Sequence, residues 1–270
     1  MSSADTDQAS FDPQAVAAAF VDARRAARPL ADYPGQIPSD LRAAYAVQDA
    51  AIGLWGDAVA GWKVGRIAPD LQPQYGADRL SGPIFSRNVL EASGSVRVPV
   101  FVGGFAAVEA EYVFRLDEDA PADKLTWSYE EVQALAGELF IGVEMAGSPL
   151  ATINVLGPSV VVSDFGNNAN LILGPVIRDW RGRAGELSCA TSIEGENVGR
   201  GGAASIPGGP LEAVRFLLEN TAGRGMPLRA GQLVSTGAAT GIHDIVAGQS
   251  ALADFGPDGA ITIETFPAAA

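Results

Sequence analysis

Phe105-Ala-Ala-Val-Glu109-Ala-Glu111-Tyr-Val-Phe114 places two carboxylates, one residue apart, inside an otherwise apolar run. The run reads as a β-strand, and side chains two residues apart on a strand leave the same face. Two unpaired anions on one buried face are costly. The run contains no lysine or arginine, which leaves two readings. One is an edge strand with a wet polar face; the other is a hard divalent cation, Mg²⁺ or Mn²⁺, that takes the carboxylate oxygens. A third acid favours the cation. Glu144 lies in Leu139-Phe-Ile-Gly-Val-Glu144-Met145, a second apolar strand entered from a short helix with the capping pattern Ser128-x-x-Glu131. Buried acids are rare unless paired or metal-bound. Glu109, Glu111 and Glu144 are therefore read as three metal ligands, with positions left open for water and a bidentate substrate.

The bulk composition narrows the partners. Lys+Arg 18 against Asp+Glu 32 leaves a formal net charge of −14, which argues against a nucleic-acid or anionic-membrane partner. An anionic substrate must then be attracted locally, against the overall field. One cysteine, Cys189, excludes an internal disulfide and a Cys-based zinc site. Met1-Ser-Ser-Ala-Asp-Thr-Asp7 has neither the basic start nor the apolar stretch of a signal peptide. No uninterrupted apolar run reaches the roughly 18 residues of a membrane span, so the expected location is the cytoplasm.

Along the chain, residues 1–60 read as a helical arm and 61–270 as a mixed β catalytic domain. Asp12-Pro13 caps a first helix through Val16, Phe20 and Ala23. Ser39-Asp40 opens a second, through Leu41, Tyr45, Val47 and Ile52. Beyond Gly61, short apolar runs punctuated by Gly and Pro predict strands at 61–66, 96–102, 106–116, 139–145, 159–163, 170–178, 184–190, 231–235 and 249–266. Helices are expected at 128–138 and 210–222. Tyr75 to Phe85 reads as a glycine-bounded loop. The Gly-Gly pairs at 201–202 and 208–209 lack the strand, Gly-x-Gly-x-x-Gly and helix order of a phosphate cradle.

Four further groups can carry chemistry. Only Lys63 and Lys124 are lysines in this arginine-rich chain. A lysine kept in the apolar strand Gly61-Trp-Lys-Val-Gly65 suggests an amine able to lose its proton when buried, for acid/base work or a charge contact; the alternative is a structural ion pair. Asp78 is either a second proton carrier near that lysine or a turn residue paired with Arg79. Asp164 and Asn168, in the polar insert Ser163-Asp-Phe-Gly-Asn-Asn-Ala-Asn170, can hold water or substrate, or simply make a turn. Ser235 and Thr236 offer hydroxyls to a substrate carboxylate. His243, the only histidine, is assigned no role, and without a histidine partner a Ser/His/Asp or Cys/His hydrolase is improbable.

Gly61-Trp-Lys-Val-Gly65, Gly76-Ala-Asp78, Val108-Glu-Ala-Glu111, Gly142-Val-Glu144 and Ser235-Thr-Gly237, in this order and spacing, resemble the 2-keto-4-pentenoate hydratase group of the fumarylacetoacetate hydrolase superfamily. The resemblance spans roughly residues 40 to 265. It implies an α+β fold: a mixed β-roll/sandwich core of the fumarylacetoacetate hydrolase type with an N-terminal helical segment. It also implies a Mg²⁺ or Mn²⁺ site, a homo-oligomer, and hydration of 2-hydroxy-2,4-dienoates to 4-hydroxy-2-oxo acids in the breakdown of aromatic compounds. Carried over, Glu109, Glu111 and Glu144 bind the metal, and Lys63 and Asp78 move protons. The chemistry is consistent: a 2-oxo acid chelates a divalent ion through a carboxylate oxygen and its C2 oxygen, and enolate charge is stabilised there. Water adds at the far end of the conjugated system and a proton returns at carbon, so two proton carriers are expected.

The chain departs from family hydratases in having Asn167-Asn168 where they usually carry Asp-Asn, with its acid earlier, at Asp164. Hydrolases of the superfamily tend to carry a His-Glu pair in an upstream lid and a lysine after the third acid; neither is present. Two competing functions share the expected fold. One is a 2-oxo-acid decarboxylase of the 4-oxalocrotonate type, and the other a non-catalytic partner subunit, against which the intact Lys63 and three acids argue.

Overall fold

Strand alternation in β5 (Phe105–Leu116) divides the molecule. Val108, Ala110, Tyr112 and Phe114 point into the main apolar core, while Val113 joins a different cluster on the other face. Glu109 and Glu111 share the parity of Val113 and therefore its face. The structure, a computed structural model, describes residues 11–270. Met1–Asp7, on which the signal-peptide reading rests, lies outside the described residues.

The helices α1 (Pro13–Arg25) and α2 (Leu41–Trp55) come first. Asp12 caps α1 by accepting from the Gln14 and Ala15 amides at 3.0 and 3.1 Å, and Asp40 caps α2 through Ala43 at 2.8 Å. Then follow β1 (Val59–Arg66), the single turn α3 (Gln72–Tyr75), β2 (Arg79–Phe85), β3 (Val89–Glu91) and β4 (Ser95–Val100). After β5 come α4 (Tyr129–Leu135), β6 (Ala136–Ser148), α5 (Pro158–Ser163), β7 (Asn168–Val176), α6 (Trp180–Arg183), β8 (Ser188–Ile193) and β9 (Glu196–Gly202). The chain closes with α7 (Pro210–Gly223), β10 (Leu233–Ser235), β11 (His243–Asp244), β12 (Ser250–Asp254) and β13 (Ala260–Pro267).

The strands form two mixed sheets. The first runs β2-β1-β10-β5-β6-β7-β3, with β11 also on β5; the second runs β4-β13-β12-β8-β9. Their facing side chains, among them Tyr112, Ile141, Val98, Ile261 and Ile263, make the main core. On the opposite face of the first sheet lies a helical layer. Val16, Phe20, Val47 and Ala51 of α1 and α2 pack with Val160, Val162 and Phe165 in one cluster. Burying these apolar stripes is what docks two short helices that would be marginal alone. The acids on β5 and β6 therefore look into the gap between sheet and helices.

The expected α+β sandwich with an N-terminal helical segment is observed, with local corrections. Residues 159–163, expected as a strand, form α5. The Val160-Val-Val162 run is buried on every side, and a short apolar run does not distinguish a strand from a wholly buried helix. Gly157 and Pro158 begin the helix. The supposed loop from Tyr75 to Phe85 contains β2. With β3 and β9 it was unforeseen, and all three are edge strands, where Pro83 or the glycines of Glu196–Gly202 are tolerated.

Candidate metal centre

Glu109 on β5 stands directly opposite Glu144 on β6, and Glu111 lies one pleat along. Like charges set opposite one another oppose strand pairing, yet one ligand atom from each of the three acids lies within 4.8 Å of the others. Glu109 is 6 % exposed, and Glu111 and Glu144 are fully buried. Each of the two fully buried acids has one oxygen held. Ser235 Oγ and the Gly237 amide donate to Glu111 Oε2 at 2.5 and 3.0 Å, and Asn168 Nδ2 donates to Glu144 Oε1 at 2.9 Å. The other oxygens are bare. Glu111 Oε1 has no partner, and Glu144 Oε2 has only the Lys63 ammonium, 3.2 Å away and out of line for a hydrogen bond. Orienting one oxygen while leaving its twin open is how supporting groups present a carboxylate to a metal.

Charge makes the same case. Three carboxylates against one ammonium leave two negative charges uncompensated. Desolvation, moderated by Lys63 but reinforced by Glu144, raises Glu109 to a pKa of about 7. Burial, then the charges of Glu144 and Glu109, raise Glu111 well above the carboxylate range. The acids must hold protons or share a cation. Their chemistry, hard oxygens with no histidine or cysteine, suits Mg²⁺ or Mn²⁺, so the residues fit the ion that the strand pattern implies.

Lys63 reaches the acids from β1, where it pairs with Ser235 of β10. Its Nζ donates to the Gly166 carbonyl at 3.1 Å and to Asn167 Oδ1 at 3.0 Å. Burial alone would lower its pKa, but Glu144, Glu109 and Glu111 outweigh that and the net direction is upward. The carboxylates rather than burial therefore set the net direction in the metal-free site, which is that of an ammonium held among acids. Its two acceptors sit on an unusual turn. Phe165, Gly166 and Asn167 all have left-handed φ, at 55, 63 and 56°, a conformation that costs each non-glycine residue roughly 1 kcal/mol or more. β2 abuts this turn so closely that a Cβ at Gly82 would lie 2.1 Å from the Phe165 oxygen.

A cavity of about 630 Å³ opens beside the acids, lined by Lys63, Glu109, Asn167, Thr236, Asp78 and Arg79 among others. Arg66 also lines it; with Lys63 set among three acids and Arg79 paired with Asp78, an anion opposed by the overall charge of −14 would need a cation bound at the acids for its local attraction. Asp78 stands at the mouth, its side chain 55 % exposed and paired with Arg79. Thr236 reaches the cavity wall while its hydroxyl donates to the Tyr112 carbonyl at 2.7 Å. Three expected substrate contacts are corrected. Ser235 and Asn168 spend their donors on Glu111 and Glu144, and Asp164 is 1 % exposed and occupied by Arg24 and Ser148. Asn167 is the member of the polar insert that faces the cavity. Arg24 escaped notice because an arginine on an amphipathic helix looks like any solvated charge. His243, assigned no role, sits partly buried with Nε2 3.0 Å from the Thr240 carbonyl. No helix among the described residues is long and apolar enough to cross a membrane.

No family model matches the chain. Its fold is that of 4-oxalocrotonate decarboxylase from Pseudomonas putida G7, solved with magnesium and adipate: TM-score 0.78 at 20 % identity, covering 94 % of this chain and 97 % of that one. Fold and buried carboxylates together match the architecture expected of the fumarylacetoacetate hydrolase type. Sequence narrows this further. The chain is 30 % identical over 209 residues to a 2-keto-4-pentenoate hydratase of Paraburkholderia phymatum, covering 75 % of this chain and 72 % of the relative. It is 28 % identical over 233 residues to the enzyme of that name from Burkholderia vietnamiensis, covering 83 % and 86 %. The chain belongs to the 2-keto-4-pentenoate hydratase family.

Proposed function

We propose that the protein is a Mg²⁺- or Mn²⁺-dependent hydratase that adds water to a 2-hydroxy-2,4-dienoate, giving a 4-hydroxy-2-oxo acid. The observation that carries this reading is the cluster of three buried acids around one ammonium, open to a cavity of about 630 Å³. Glu109, Glu111 and Glu144 would hold the ion, which when bound supplies Lewis acidity to the carboxylate and C2 oxygens of a 2-oxo acid. Lys63, fixed by Gly166 and Asn167, carries a proton to and from the substrate's conjugated carbons. A cation held by the same acids would weaken their hold on the ammonium and so favour release of that proton. Asp78, at the mouth beside Arg79, is the second proton carrier. Thr236 and Asn167 line the space the substrate would enter, while Leu71, Val161 and Ile242 of the cavity wall suit its hydrocarbon end.

A decarboxylase acting on a 2-oxo-enedioate would use the same acids and lysine, and the fold shared with 4-oxalocrotonate decarboxylase makes it the reading to test against. The purified protein, supplied with Mg²⁺ or Mn²⁺, is offered a 2-hydroxydienoate and a 2-oxo-enedioate separately. Water uptake, followed by loss of dienoate absorbance, is expected from the first; CO₂ release from the second alone would replace the hydratase assignment. The family reading also carries a homo-oligomer, which sedimentation tests.

A further inference from the structure

We infer that Arg24, on the N-terminal helical arm, is a positioning residue for this centre. Its guanidinium is buried and reaches five acceptors. Nε and Nη2 donate to the Asp164 carboxylate at 2.5 and 3.0 Å, Nη1 to the Asn168 carbonyl at 2.9 Å, and Nη2 to the Gly147 and Asp164 carbonyls at 2.8 and 3.3 Å. It also lies over the ring of Phe165, 5.2 Å from the centroid. These contacts bracket the left-handed turn, with Asp164 just before it and Asn168 just after it. What the turn presents is the centre itself: the Gly166 carbonyl and Asn167 amide that hold Lys63, and the Asn168 amide that holds Glu144.

The physical need is specific. Three successive left-handed residues persist only where the surroundings over-determine them. Within the turn's own backbone the Asn167 amide bonds Asp164 O at 2.8 Å. Gly82 fills space on one side, and Arg24 supplies the charge-assisted bonds on the other. Ser148 Oγ adds a bond to Asp164 Oδ2 at 2.6 Å, so the carboxylate is fully engaged and Arg24 is aimed. A lysine at position 24 would keep the ion pair with Asp164, yet its single ammonium cannot also span the Asn168 and Gly147 carbonyls. The arm thus sets the angle of Glu144 and the seat of Lys63 without touching either.

The inference rests on the proposed roles of Glu144 and Lys63, and its test separates the two. In Arg24→Lys, amide hydrogen exchange of residues 164–168 is followed in metal-free protein, beside Mn²⁺ titration calorimetry and steady-state kinetics. Expected are faster exchange confined to that segment, and both a weaker Mn²⁺ affinity and a lower kcat, each by about 10–100-fold, the usual effect of losing a group that orients a ligand. KM should change far less. A folded variant with wild-type exchange, Mn²⁺ affinity and kcat overturns the inference. Should Arg24→Lys not fold, Arg24→Met/Asp164→Asn removes both buried charges and carries the same readouts; full recovery of wild-type behaviour there, or failure of this variant to fold too, assigns Arg24 to stability alone. Wild-type protein that binds no Mn²⁺ overturns the proposed centre instead, and the exchange measurement still judges the clamp.

Discussion

Glu109 and Glu144 face each other across β5 and β6, a pairing that an uncompensated sheet would reject. If a cation resolves it, Glu109→Gln or Glu111→Gln removes charge without changing shape. The Mn²⁺ dissociation constant should then rise beyond the roughly 10–100-fold typical of lost supporting groups, and turnover should vanish; calorimetry showing unchanged affinity would refute the ligand assignment. Proton competition gives a second check. Folding raises Glu109 to about 7 and raises Glu111 as well, both above the unfolded carboxyl value of about 4.3. The metal-free fold therefore binds more protons than the unfolded chain and loses stability as pH rises from that value towards 7. Mn²⁺ must displace those protons, so its affinity should strengthen as pH rises through 7, by up to about tenfold per pH unit for each proton released. A flat affinity between pH 6 and 8 would contradict this. Lys63→Arg keeps the charge but not the ability to give up a proton at working pH. A kcat loss of roughly 10²–10⁴ is expected, and a near-normal rate would make Lys63 purely electrostatic.

Among elements, the left-handed turn between α5 and β7 is the piece that fits most tightly. Its approach to β2 is possible only because Gly82 has no side chain: in Gly82→Ala the new methyl would meet backbone, which cannot rotate away. A stability loss of about 1–3 kcal/mol is expected, read as a lower melting temperature, together with reduced turnover as the Lys63 acceptors move. An unchanged melt would show that the turn yields. Elements also differ in how legible they are. The caps at Asp12 and Asp40 and the Ser128/Glu131 capping box are local hydrogen-bond chemistry and appear where the residues suggest. The alternation of β5 is equally plain. β2, β3 and β9 hide because edge strands need neither a two-sided apolar pattern nor freedom from proline and glycine. α5 hides because a helix buried all round has lost the periodicity that identifies it.

At the scale of the molecule, the helical layer and the first sheet close over a cluster whose charge disfavours folding until a cation joins it. Mn²⁺ at a hundredfold excess over its dissociation constant should stabilise the fold by about 3 kcal/mol, which at about 2–4 °C per kcal/mol raises the melting temperature by roughly 6–12 °C. Chelation with EDTA should reverse the gain, and a melt indifferent to both would mean that the acids do not bind the ion. The net charge of −14 sets the background. Around the cavity Arg79 is paired with Asp78 and Lys63 is outnumbered by acids, so an anionic substrate would gain its attraction from Arg66 and from a cation held by those acids.

The order of residues alone shows that Glu109 and Glu111 share one face of a buried strand, that Glu144 lies in another, and that Lys63 is out of place in its apolar surroundings. All of this follows from covalent geometry and the cost of burying charge, which act within a few residues. It took the folded chain to place Glu144 opposite Glu109, to turn Asn167 rather than Asp164 to the cavity, and to give Asp164 to Arg24, 140 positions away. A buried charge must find a partner, but which partner depends on where the chain returns in space, and no local pattern of residues records that.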